Sequence, residues 1–203
     1  MVSGLNNSLR RVPAWTLYIV GAIPFVWLVI QLFTGALGVD PVKVMEHRLG
    51  ELGLQFLVVG LAVTPLRKFT GINIVKFRRP IGVVAFFYIL AHLLVWLLLD
   101  IQLLWGQIWA DILKRPYITI GMAGFLLLLP LALTSNNWSV RKLGPVKWRK
   151  LHRLTYLAIP IGAIHFVMVV KGWQVEPFIY LAVVLALLAL RIRLRMTREA
   201  SRA

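Results

Sequence analysis

The stretch RRPIGVVAFFYILAHLLVWLLLD, residues 78–100, sets the reading of the whole chain. It opens on two arginines and a proline and then runs without Asp, Glu, Lys or Arg until Asp100. About 20 apolar residues suffice to cross a bilayer as a helix. Inside this run stands one ionisable side chain, His92. YLAIPIGAIHFVMVV, residues 156–170, places His165 in the same kind of setting. Ionisable groups inside a membrane span are costly, which makes both histidines functional candidates.

Working outward, five further stretches join residues 80–100 as spans: 13–33, 50–66, 117–134, 152–170 and 173–190. The second is short and could be extended or tilted at either end. The chain is 60% hydrophobic with a mean hydropathy of +0.81, against about 45–50% apolar residues in soluble domains. The expected fold is all-α: a polytopic six-transmembrane-helix bundle forming one domain over residues 1–203. No internal repeat is evident. Pro80 and Pro116 sit where helices would begin, Pro65 marks an end, and Pro24, Pro130 and Pro160 fall inside spans. Trp15, Trp105, Trp109, Trp138, Trp148 and Trp173 fall near span ends, as an interfacial belt requires.

The charge of +16 is unevenly distributed. An even number of spans puts both termini on one side. Eighteen of the 23 Lys and Arg then share that side, in four clusters ending with Arg191, Arg193, Arg195, Arg198 and Arg202. Lys43, Arg48, Lys114, Arg115 and Lys171 take the other side, with six of the seven acids. The positive-inside rule makes the basic side cytoplasmic, termini included. The basic surplus reads as topology and contact with anionic lipid rather than nucleic-acid binding. The first stretch, followed by Ala36-Leu37-Gly38, loosely resembles a signal peptide, but its length favours an uncleaved helix.

The chain has no cysteine, which excludes thiolate-held iron–sulfur clusters and covalent haem attachment through CxxCH. Neutral imidazoles on facing helices remain, and these are the axial ligands a haem iron takes. His92 and His165 each lie 12–13 residues past the basic end of their spans, some 18–20 Å in at the helical rise. Equal depth on parallel helices suits one haem between two rings. His152 precedes His165 by 13 residues, about 20 Å along the axis, a reasonable spacing for a second haem. Thirteen residues leave a helix face about 140° off, and Pro160 could supply the missing rotation. The matching level on the third span holds Arg78 and Arg79 rather than histidine. His47, ahead of the second span, reads as an exposed loop residue, with a quinone contact or an external partner as alternatives. Gly82, Gly121, Gly124 and Gly162 allow close helix approach or room for a porphyrin. Asp100 and Asp111 read as solvated loop acids.

No phosphate-binding motif occurs, and about a dozen residues follow the last span, so no nicotinamide- or flavin-binding domain is expected in this chain. Electrons would enter from a quinone, a bound flavin or a separate flavoprotein, and leave to an external protein. Two other readings remain: a stand-alone haem-dependent metal or quinone reductase, and a non-redox bundle whose histidines relay protons.

Residues 78–100, ILKRPYITIGMAGFLLLLPLALTS and GPVKWRKLHRLTYLAIPIGAIHF together resemble the haem-binding membrane subunit of the periplasmic methionine-sulfoxide reductase system, the MsrQ family. That family lies within the wider ferric-reductase-like transmembrane group. The resemblance implies a multi-pass protein of the bacterial inner membrane carrying haem b, one or two per chain, with FMN also associated. It implies electron transfer from the quinone pool or a flavin donor to a periplasmic molybdenum-cofactor methionine-sulfoxide reductase, in a heterodimer, with substrate reduced on that partner. By position, His92, His152 and His165 become the haem-ligand candidates. A guanidinium ligates iron poorly, so Arg78 and Arg79 become candidates for binding propionates.

Overall fold

The computed structural model describes residues 2–170 and 174–200, with side chains through residue 193. Lys171, Trp173 and Arg202 lie outside the described residues, as do the side chains of Arg195 and Arg198. The described residues form helices joined by short turns, with no strand among them. Six of its helical segments are long and apolar enough to span a membrane: Thr16–Phe33, Pro41–Thr70, Val75–Asp100, Pro116–Leu133, Asn137–Val169 and Val175–Arg193.

The helices are α1 (Val2–Arg11), α2 (Thr16–Phe33), α3 (Pro41–Thr70), α4 (Arg78–Val95), α5 (Trp105–Lys114), α6 (Pro116–Leu133), α7 (Asn137–Leu151), α8 (Thr155–Val169) and α9 (Val175–Ala200). α3 forms the spine of the bundle, packing on α2, α4, α8 and α9. The main core joins Leu57 and Leu61 of α3 to Ala85 of α4, Leu128 of α6, Ile159 of α8 and Val184 of α9. α2 packs more loosely and turns Ile19, Val20, Ile23 and Trp27 outward, as a bilayer-facing helix does.

Several expectations change. The second span is 30 residues long and begins at Pro41. Asp40 caps it by accepting the Lys43 N–H at 3.1 Å, Pro41 occupies the first helical position, and Gly71 closes it in the left-handed conformation at φ 74°. His47 is therefore an exposed helical residue, not a loop residue. Pro65 lies inside α3 rather than ending it. Proline lacks the N–H that would pair with the carbonyl of Leu61. Arg191 of α9 replaces it, donating Nε at 2.9 Å and Nη2 at 2.6 Å to the Leu61 oxygen.

The basic segment before the fifth span is also largely helical. Asn136 caps α7 by accepting the Ser139 N–H at 2.8 Å, and Gly144, at φ 74°, breaks it ahead of Pro145. The segment between the third and fourth spans contains the amphipathic α5, which buries Ile108 and Asp111 and exposes Trp105 and Trp109. Asp111 is thus not a solvated loop acid. It is 7% exposed and pairs with Arg115 at 3.1 Å.

Candidate functional site

α4 and α8 carry His92 and His165 and run in the same direction, each antiparallel to the helix it packs on most closely: α3 for α4 and α6 for α8. The two rings face one another across the bundle, with centroids 6.2 Å apart and planes at 75°. Both are part-buried.

The hydrogen bonds fix the tautomers. His92 Nδ1 lies 2.8 Å from the carbonyl oxygen of Glu46 on α3. His165 Nδ1 lies 2.8 Å from the carbonyl oxygen of Tyr117 on α6. A carbonyl only accepts, so each Nδ1 carries the proton and donates it. In a neutral ring Nε2 then keeps its lone pair, and no described hydrogen bond engages Nε2 of either ring. This is the posture of a metal-ligating histidine: one nitrogen tied to a backbone carbonyl, the other free.

The pair fits a haem. A metal–imidazole bond is about 2 Å and the ring centre lies about 1 Å further back, so two coaxial imidazoles on one iron have centroids about 6 Å apart. The observed 6.2 Å meets that requirement.

Both rings rest on glycine. A helix carbonyl points along the axis toward the residue four ahead, so a ring approaching the Glu46 oxygen lies over Gly50. A Cβ at Gly50 would stand 3.1 Å from His92 Nδ1. A ring approaching the Tyr117 oxygen lies over Gly121 in the same way, where a Cβ would stand 2.8 Å from His165 Cε1 and 2.9 Å from Nδ1. Three residues further along each helix a second glycine admits an isoleucine: Gly53 receives Ile89 of α4, and Gly124 receives Ile161 of α8. EHRLGELG (46–53) and YITIGMAG (117–124) thus occupy matching places against their histidine helices.

Residues 49–163 match the family described as ferric reductase like transmembrane component. A protein of Agrobacterium fabrum named protein-methionine-sulfoxide reductase heme-binding subunit MsrQ is 48% identical over 188 residues, covering 93% of this chain and 87% of that protein. Proteins of the same name from Brucella ovis and Brucella suis are 51% identical over 178 residues, covering 88% of this chain and 80% of theirs. The chain belongs to the MsrQ family.

The segment shared with the wider ferric-reductase-like group runs through Gly50, His92, Gly121 and His152. Of the five residues singled out in this MsrQ-family sequence, the structure brings His92 and His165 together and gathers the other three at the basic end. His152 opens a short 3-10 turn, His152–Leu154, between α7 and α8. Its Nε2 lies 3.1 Å from Thr134 Oγ1. That hydroxyl gives its own proton to the Pro130 carbonyl at 2.6 Å, so toward His152 it accepts, and Nε2 carries the proton. The Trp148 indole stacks on the ring at 3.8 Å and donates Nε1–H to the Thr134 carbonyl at 2.8 Å. Trp148 therefore orients His152 besides lying near a span end.

Arg79 donates Nη1–H to Asn137 Oδ1 at 2.6 Å, tying α4 to α7. Arg78 lies near His152 and within hydrogen-bonding reach of Tyr156, whose hydroxyl also receives Arg191 Nη1–H at 2.8 Å. Asp40, Glu46, Glu51, Asp100, Asp111 and Glu176 all belong to the opposite end, which leaves Glu199, whose side chain lies outside those described, as the one acid on the basic side. Arg78, Arg79 and Arg191, none of them in a salt bridge among the described side chains, suit a carboxylate- or phosphate-bearing group.

Sequence reasoning missed Gly50, Gly53, Trp148 and Thr134 as contributors. The first two have a signal, the spacing they share with Gly121 and Gly124. Of the glycines singled out from the sequence, a Cβ at Gly82 would meet open space and one at Gly162 would meet only Leu54, at 4.0 Å.

Proposed function

We propose that the protein is the haem-b electron carrier of a methionine-sulfoxide reductase system, with His92 and His165 as axial ligands of one haem. The observation that carries this reading is the ring pair at 6.2 Å with both Nδ1–H groups donated to helix carbonyls. The name of the relatives, heme-binding subunit, supports the same reading. Held by these two imidazoles, a haem would supply one-electron oxidation and reduction. The chain's own work is to fix the two rings, bury the group and set its distance from donor and acceptor.

The same reading gives His152, Arg78 and Arg79 to a second, differently held site at the basic end. The arginines would pair with acidic groups there. Ligation by His152 would require its Nε2 to leave Thr134, or the free Nδ1 to serve. On the family resemblance, the donor is the quinone pool or a flavin, with FMN as an associated group. The acceptor is a periplasmic molybdenum-dependent reductase in a heterodimer, which carries out the substrate chemistry. The basic end faces the cytoplasm, and the membrane is the bacterial inner membrane.

The test is an optical spectrum of purified protein, oxidised and dithionite-reduced, with haem extracted and counted per chain. A low-spin b-type spectrum is expected. A well-folded protein that stays featureless after haem supplementation would remove the reading.

A further inference from the structure

We propose that Gly50 and Gly121 are positioning residues for the two iron ligands. Each removes the one side-chain carbon that would keep its imidazole off the carbonyl one turn earlier. The inference rests on the haem reading above and concerns what sets the ligands' strength and orientation.

Three observations support it. First, the contacts are specific. A Cβ at Gly121 would lie 2.8, 2.9 and 3.3 Å from three ring atoms of His165, and one at Gly50 would lie 3.1 and 3.3 Å from two ring atoms of His92. Contacts this short require the ring to move. Each ring is also the partner of the adjacent carbonyl, so movement lengthens the 2.8 Å Nδ1–H···O bond. Second, the arrangement occurs twice. Carbonyl residue and glycine are four apart in both cases, Glu46–Gly50 and Tyr117–Gly121, on helices that share no other part of the site. Third, each helix carries an internal control. Gly53 and Gly124, three residues on, would clash with Ile89 Cγ1 at 2.7 Å and Ile161 Cγ2 at 3.2 Å. Those contacts crowd the same helix pairs without touching a histidine.

The chemistry follows from the bond. Donation of Nδ1–H to a carbonyl makes the imidazole more electron-rich, and a more basic axial ligand favours the oxidised iron. It also fixes the ring plane, and with it the 75° angle between the two ligands. Lengthening the bond should therefore raise the midpoint potential and alter the ferric EPR signal, which reports the angle between axial imidazole planes.

The experiment compares four variants in the full-length, haem-loaded protein: Gly50→Ala and Gly121→Ala against Gly53→Ala and Gly124→Ala. The readouts are redox titration and ferric EPR. An upward shift in potential with an altered EPR signal is expected in the first pair, larger for Gly121→Ala, and absent from the second. Potentials and EPR signals that move equally in all four would overturn the inference, because they would report helix crowding alone. If Gly121→Ala does not accumulate, Gly50→Ala carries the comparison with its milder contact. Wild-type protein supplies an independent measurement by electron–nuclear double resonance. Exchangeable Nδ1 protons on both axial rings are expected, and their absence would overturn the inference without any variant. Wild-type protein that holds no low-spin haem would fail earlier and remove the reading beneath.

Discussion

The two ends of the bundle hold histidine in opposite tautomers. His92 and His165 give their Nδ1 protons to carbonyls of α3 and α6 and leave Nε2 free. At the basic end His152 gives its Nε2 proton to Thr134, beneath the stacked Trp148 indole. The bundle thus holds two kinds of histidine. One kind is anchored from behind with its outer nitrogen available, the other held by the nitrogen a metal would use. The difference arises from what each neighbouring helix offers. Glycine leaves a bare carbonyl within reach of a ring, whereas a helix ending on threonine offers a hydroxyl already committed to its own backbone.

Removing either free nitrogen is the most severe way to break the contrast. His92→Ala and His165→Ala should each abolish the low-spin haem signal of the His92–His165 pair, since only one imidazole would remain to hold the iron. A normal low-spin spectrum in either variant would separate that residue from the iron. His152→Ala should act differently. The haem count should fall by at most one per chain while the signal of the His92–His165 pair persists, and loss of every haem would show that the two ends are not independent. Arg78→Ala should perturb only the signal that His152→Ala removes.

Arg191 sharpens the comparison from the structural side, because the basic end depends on it to repair a helix. It covers the Leu61 carbonyl that Pro65 leaves without a partner and also bonds Thr64 Oγ1 at 3.1 Å. Arg191→Met should destabilise the protein by about 1–3 kcal/mol, the usual cost of an orphaned buried polar group. Pro65→Ala restores the missing N–H, so the double variant should recover about 1 kcal/mol of that loss. Thermal unfolding in detergent gives both values, and strict additivity would break the assigned link.

The sequence is legible where one quantity decides the outcome. Length and hydropathy decide the six spans, and equal depth on parallel helices brings His92 and His165 to one level. It is less legible where a partner comes from far along the chain. Pro65 reads as a helix end until Arg191, 130 residues from Leu61, supplies the bond. Asp111 reads as solvated because loops usually are, yet the packing of α5 buries it beside Arg115. The tautomers were hidden altogether, since they depend on which helix faces which ring. The glycine seats were only half hidden. Their shared spacing is written in 46–53 and 117–124, but two common identities in eight residues are too few to stand out as a repeat.

The smallest expected effect lies at the acidic end, one turn from the Glu46 carbonyl that anchors His92. Lys43 bridges Glu46 at 3.4 Å and Asp100 at 3.2 Å, with about half its side chain exposed. Exposed ion pairs contribute about 0–1 kcal/mol and weaken with salt. The seat of His92 is made by the backbone of Glu46, not by its carboxylate. Lys43→Ala should therefore lower stability by less than about 1 kcal/mol and leave the haem spectrum and potential unchanged. A clear shift in potential would mean that the surface charges set the iron's environment, and the weight placed on carbonyl and glycine would have to move outward to them.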